Sequence, residues 1–196
     1  MDEENDEYFR CYVEKQKLLD TLKTKTPNEA VMNFLSKTEI PYVIIGGKAA
    51  AFHIGNPDTE AKKIAVASED YDVLVPDRFK YDFIKRLVKE MDSTTMTTLY
   101  LKENESLQIY MLGWYVDKSF ISYVDVHVKD NLPAHELSTG NIKYANVKWL
   151  CEELTLTIKS RSSSDERTKY MKRLIRFQLL NAQLLYGVPE LSPESA

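Results

Sequence analysis

Cysteine is nearly absent: only Cys11 and Cys151 occur in 196 residues, which excludes a disulfide scaffold or a cysteine zinc site. No uncharged apolar run, of which Pro41 to Gly47 is typical, approaches the ~20 residues that a membrane helix needs. The sequence holds no G-x-x-x-x-G-K-[ST] loop, which excludes a P-loop ATPase. It also lacks a G-x-S-x-G elbow, and neither cysteine has a histidine beside it to suggest a thiol nucleophile. An excess of positive charge is missing too. Lys and Arg total 26 against 30 Asp and Glu, a net charge of −4, so bulk charge does not announce a nucleic-acid binder. The opening Asp2-Glu3-Glu4-Asn5-Asp6-Glu7 is unlike a basic-then-apolar leader, and a reducing, cytoplasmic setting with no membrane association is expected.

What is present is a globular composition, 43% hydrophobic and 29% charged. Phe9, Tyr12, Leu19 and Leu22 suggest a first amphipathic helix. Thr26-Pro27-Asn28-Glu29 reads as a capping box that opens a helix with Val31, Phe34 and Leu35 inward, ending near Ser36. The β-branched run from Pro41 to Ile45 is a buried strand, stopped at Gly46-Gly47, and Lys48 to Ile54 looks helical. A second strand covers Tyr71 to Val75. Pro76-Asp77 then starts a helix with Phe79, Phe83, Leu87 and Met91 spaced four apart. Strands are expected at Thr97–Leu101, Leu107–Leu112 and Phe120–Val128, with residues 102–105 as a hairpin turn between the first two. Val147, Leu150, Leu154 and Ile158 form one helical stripe, and Tyr170, Leu174, Phe177 and Leu184 another. The expected organisation is N-terminal helices over 1–38, a core over 39–135 and a helical segment over 136–196.

Two of these strands carry acids where a buried strand should be apolar. Asp70 and Asp72 stand at i and i+2 in Asp70-Tyr71-Asp72-Val73-Leu74-Val75, so strand geometry places both on one face. In Val124-Asp125-Val126-His127-Val128 the valines take one face, while Asp125 and His127 share the other. Taken singly, Asp70 reads as a turn residue, Asp125 as solvent-facing and His127 as structural. Taken together, three aspartates entering a hydrophobic sheet repel one another and carry a desolvation cost that a shared cation removes. A hard divalent ion such as Mg²⁺ suits carboxylate oxygens. Neighbouring strands lie about 4.8 Å apart, close enough for acids on two of them to bracket two ions ~3.5–4 Å apart.

The sequence Val43-Ile44-Ile45-Gly46-Gly47-Lys48-Ala49, then Ser68-Glu69-Asp70-Tyr71-Asp72, then Val124-Asp125-Val126, resembles the nucleotidyltransferase superfamily typified by DNA polymerase β. Within it, the chain looks most like the poly(A) polymerase catalytic domains of large DNA viruses and the compact nucleotidyltransferases of toxin–antitoxin systems. The resemblance covers about residues 40 to 128. It implies an α/β (α+β) fold: a mixed sheet flanked by helices and followed by a short C-terminal helical segment. It also implies transfer of a nucleoside monophosphate from a nucleoside triphosphate to an acceptor hydroxyl, with an RNA 3′ end the leading acceptor and ATP the donor of a poly(A) enzyme. Asp70, Asp72 and Asp125 would then hold Mg²⁺ or Mn²⁺ and carry catalysis. Gly46, Gly47, Lys48 and Ser68 would meet the nucleotide. The other readings are a catalytically inactive relative serving as a binding or scaffold protein, and a toxin-type transferase acting on tRNA or protein. Two departures stand out. Twenty-two residues, Lys48 to Glu69, separate Gly47 from Asp70, more than the compact signature has, and the viral enzymes are much longer, so a protein partner could complete the acceptor site.

Lys169, Lys172, Arg173 and Arg176 fall at i, i+3, i+4 and i+7, one basic stripe on the last helix. It reads as a solvated face or as a phosphate track for a nucleic acid. Trp114 and Tyr115, following Gly113, are expected between strands, in a core or rim role or against a base.

Overall fold

The computed structural model describes residues 27–55, 70–92, 99–104, 107–116 and 118–160, with 167, 170, 171 and 173–178. The first expected helix, the residues around Ser68, and Lys169 and Lys172 lie outside these. The elements in chain order are α1 (Pro27–Lys37), β1 (Val43–Ile45), α2 (Gly46–Ile54), β2 (Tyr71–Val75), a 3₁₀ turn (Asp77–Phe79), α3 (Lys80–Asp92), β3 (Tyr100–Asn104), β4 (Ile109–Val116), β5 (Ser119–Val128), β6 (His135–Leu137), β7 (Lys143–Ala145) and α4 (Val147–Ser160). The strands hydrogen-bond in the order β3-β4-β5-β2-β1-β7-β6. This is a mixed sheet: β4 runs antiparallel to β3 and β5, while β1 and β7 are parallel. The chain divides into two compact units, one drawn from residues up to Tyr42, Asp72–Leu132 and Leu137–Ile142, the other from Val43–Tyr71, Pro133–Glu136 and Lys143 onward.

In the first unit α1 opens at Pro27, whose fixed φ suits a first helical turn, and buries Ala30, Val31, Phe34 and Leu35. Phe34 meets Phe83 of α3 edge to face, with centroids 5.1 Å apart, and the Tyr42 hydroxyl donates to the Leu35 carbonyl at 2.7 Å. The four-residue spacing holds along α3, where Phe83, Leu87 and Met91 are fully buried, but Phe79 stands in the 3₁₀ turn before the helix and is only half-buried.

The strand ends differ from expectation, and one glycine accounts for most of it. Gly113 lies inside β4, which runs on to Val116, so Trp114 and Tyr115 are strand residues. The register slips between Leu112 and Gly113: Leu112 faces Val124, but Gly113 faces Ser122, leaving Tyr123 as the extra residue of a bulge in β5. A Cβ on Gly113 would stand 1.9 Å from the Ile121 carbonyl oxygen, so only glycine allows this approach. The bulge also resets the alternation of β5. Ile121, Tyr123, Val124 and Val126 are buried, whereas Phe120, Ser122, Asp125 and His127 share the other face. Strand β3 ends at Asn104, later than expected, and the β3–β4 turn accordingly includes Gln108, held at φ 51°.

In the second unit β1 lies beside β7, with Ile44 opposite Tyr144, and Phe52 of α2 stacks on Tyr144 at 4.3 Å. His53 places Nε2 2.8 Å from the Ala145 carbonyl. Helix α4 begins behind Asn146, whose Oδ1 accepts the Trp149 N–H at 2.9 Å as an N-cap, and it buries Val147, Leu150 and Leu154.

Candidate metal centre

Strand β2 contributes Asp72 and strand β5 contributes Asp125 and His127; these strands are neighbours in the sheet. One ligand atom from each of the three side chains lies within 4.8 Å of the others, a grouping able to hold a metal ion. His127 Nε2 stands 3.2 Å from Asp72 Oδ1, and the two side chains are 27% and 26% exposed. That partial burial matters. The side chains are partly withdrawn from water, yet open enough for an exchangeable ligand. The Ser122 hydroxyl donates a short hydrogen bond to Asp125 Oδ1, across the bulge that brings residues 122 and 125 to one face. Such a donor orients a carboxylate.

The donor set fits a divalent ion. Two carboxylates offer the hard oxygens that Mg²⁺ and Mn²⁺ take, and the imidazole adds a nitrogen that Mn²⁺ accepts more readily.

Asp70 is not a member of this group among the described residues. Its expected alignment with Asp72 requires strand geometry at both positions, but β2 begins at Tyr71 and Asp70 stands on a bend. His127, which reads from the sequence as a structural residue, belongs to the group instead. The signal was the Asp-x-His spacing within one strand.

The remaining candidates sit as follows. Gly46 is the first residue of α2 and takes φ 63°, a conformation that glycine adopts without penalty. Gly47 is buried, and the N-cap position, Ile45, provides no side-chain hydrogen bond to the helix start. The Lys48 ammonium lies over the Tyr71 ring, 5.0 Å from its centroid. The basic stripe needs correction. Arg173 is only 4% exposed, as buried as Leu174, with its guanidinium 5.8 Å from the Tyr170 ring. Arg176 is half-buried. Arg173 therefore belongs to the packing of this segment and not to a solvent-facing phosphate track. Of the aromatic pair, Trp114 is core and Tyr115 is exposed.

No protein-family model matches the chain, and no curated protein matches it in sequence. Solved structures do. The crystal structure of the Megavirus polyadenylate synthase aligns with a TM-score of 0.54 at 12% identity, covering 82% of this chain and 33% of that one. Over the aligned part, the fold is that of the Megavirus polyadenylate synthase. This chain spans about a third of the length of the Megavirus protein. An antigenic nucleotidyltransferase-like protein from Paracoccidioides brasiliensis aligns at TM-score 0.48 and 18% identity, covering 85% of this chain and 90% of that one. The antibiotic-resistance factor ANT(2'')-Ia aligns at 0.46 and 10%, covering 81% and 89%. The likeness of fold rests on the first of the three. No described helix is long and apolar enough to cross a membrane.

Proposed function

We propose that the chain transfers a nucleoside monophosphate from a nucleoside triphosphate to an acceptor hydroxyl, with an RNA 3′ end as acceptor and ATP as the first donor to test. The observation that carries this reading is the meeting of Asp72, Asp125 and His127 on adjacent strands of a nucleotidyltransferase-type sheet. Asp70, Asp72 and Asp125 would hold the divalent ion, Mg²⁺ or Mn²⁺. The ion supplies charge neutralisation at the phosphates, where positioning and electrostatics provide nearly all of the catalysis. In the reaction the acceptor oxygen bonds to the α-phosphorus, the bond from that phosphorus to the bridging oxygen breaks, and pyrophosphate leaves. The Asp125 carboxylate, held by Ser122, would help the ion that activates the acceptor hydroxyl, whose proton leaves to solvent. Gly46, Gly47, Lys48 and Ser68 are proposed as the residues that meet the nucleotide, Gly46 and Gly47 through backbone N–H groups at a helix start.

One observation favours a second reading, a catalytically inactive relative that binds nucleotide or nucleic acid. His127 already contacts Asp72, and a protonated imidazole can offset that carboxylate without any ion. The test is incubation with each labelled nucleoside triphosphate, Mg²⁺ or Mn²⁺ and mixed RNA, repeated with Asp72→Ala and Asp125→Ala. The proposal expects transfer by the unaltered chain alone. Equal product from all three proteins contradicts the assignment; product from none favours the binding protein. Separate arms with tRNA and with cell protein as acceptors distinguish a toxin-type activity.

A further inference from the structure

We infer that the face of β3, β4 and β5 carrying Asp125 and His127 is a stacking platform for a single-stranded RNA acceptor. The inference deepens the proposed function and rests on it for the choice of occupant.

Cross-strand register defines the face. Residues directly opposite in an antiparallel pair point the same way. Asp125 faces Met111, and Met111 faces Lys102; His127 faces Ile109, and Ile109 faces Asn104. On the other side of the bulge, Gly113 faces both Ser122 and Tyr100, and Tyr115 faces Phe120. One surface therefore runs from the metal-ligating residues across two strands, about 10 Å, to the edge strand β3. The opposite surface holds buried Leu112, Trp114, Val124 and Val126, so it is core and unavailable.

Aromatic residues with a cation among them occupy the outer part of the open face. Tyr100 and Tyr115 are 47% and 53% exposed, unusual for large rings on a sheet. They meet edge to face with centroids 5.1 Å apart, and Tyr115 continues to Phe120 at 5.4 Å. The Lys102 ammonium stands over the Phe120 ring at 5.8 Å. Rings with an interleaved cation are the combination that holds unpaired bases and their phosphates without regard to sequence. Position selects the occupant. An acceptor whose hydroxyl reaches Asp125 must lie on this face, and the rings stand where its preceding nucleotides would pass. Unpaired bases can lie on them, whereas a duplex keeps its bases stacked inside.

The test measures binding of a fluorescein-labelled single-stranded RNA of roughly twelve nucleotides to the full chain, by anisotropy, without nucleotide or metal. The variants are Tyr115→Ala, the pair Tyr100→Ala with Tyr115→Ala, Lys102→Ala, and Tyr115→Phe; thermal melts confirm that each is folded. The expected result is about tenfold weaker binding for the paired variant, with Tyr115→Phe close to the unaltered chain because the ring remains. Duplex RNA should bind more weakly than single strands throughout. Unchanged affinity in the paired variant, or no affinity in the unaltered chain, overturns the inference. So does a dimer in light scattering that Tyr115→Ala converts to monomer, since the rings would then cover a second copy. Because the assay needs no transfer, its failure is separable from failure of the proposed reaction: a chain that transfers nucleotides while the paired variant keeps its RNA affinity retains the function and loses the platform.

Discussion

His127 Nε2 lies 3.2 Å from Asp72 Oδ1, joining residues 55 positions apart in sequence across two neighbouring strands. This contact makes the site more than a pair of acids. It puts an imidazole nitrogen within reach of any ion that Asp72 and Asp125 would share.

Removing either acid should abolish transfer while leaving the fold. Asp72→Ala and Asp125→Ala are each expected to lower turnover by at least roughly a hundredfold, the scale of losing one electrostatic contact to developing charge. Both side chains are half-buried and support no core packing, so melting temperatures should stay within a few degrees. Initial rates with labelled ATP, alongside thermal melts, check both statements.

The mixed donor set should prefer Mn²⁺ to Mg²⁺, and His127 should be the cause. Titration calorimetry of both ions against the unaltered chain and His127→Ala tests this. The expected outcome is loss of roughly tenfold in Mn²⁺ affinity with little change for Mg²⁺. Equal losses for both ions would mean that His127 acts through the position of Asp72 and not as a ligand.

Gly113→Ala should destabilise the β4–β5 hairpin. The added Cβ meets backbone atoms of Ile121 and Ser122, which cannot step aside as a flexible side chain would. Overpacking of this kind costs about 1–3 kcal/mol, a fall of several degrees in melting temperature. Chemical denaturation reads it directly. The same change should reduce activity, because the bulge it disturbs aligns Ser122 with Asp125.

The thiol of Cys151 should react sluggishly at neutral pH. Burial, assisted by the negative charge of Glu152, pushes its pKa above the ordinary thiol value, so less thiolate is present than in a free cysteine. For an acid whose folded pKa is raised, the stability contribution is complete below the unfolded value and is lost as pH rises through the folded value. Iodoacetamide labelling followed by peptide mapping should show Cys151 slower than a model peptide at pH 7, approaching it only in alkaline solution. Fast labelling at pH 7 would contradict the burial.

Much of the site was legible because it depends on local rules. Period-2 alternation identified the face of β5 shared by Asp125 and His127, and the acid in β2 was conspicuous among Tyr71, Val73, Leu74 and Val75. Four-residue spacing marked α3, and the proline and first-turn acid marked α1. What escaped depends on partners distant in the chain. The bulge opposite Gly113 exists only because β5 approaches there, so Gly113 read locally as a strand end. Strands β6 and β7 have three residues each, too short for any periodicity, and are specified by pairing such as that of Ile44 with Tyr144. Arg173 lies among basic residues in sequence, yet tertiary packing turns it inward.

The most direct test of the metal centre is a crystal grown with Mn²⁺ and a non-hydrolysable nucleoside triphosphate, examined by anomalous scattering. A manganese peak is expected within coordination distance of Asp72 and Asp125, absent from crystals of Asp72→Ala. Nucleotide bound with no anomalous peak at these side chains, or a peak held elsewhere in the chain, would contradict it.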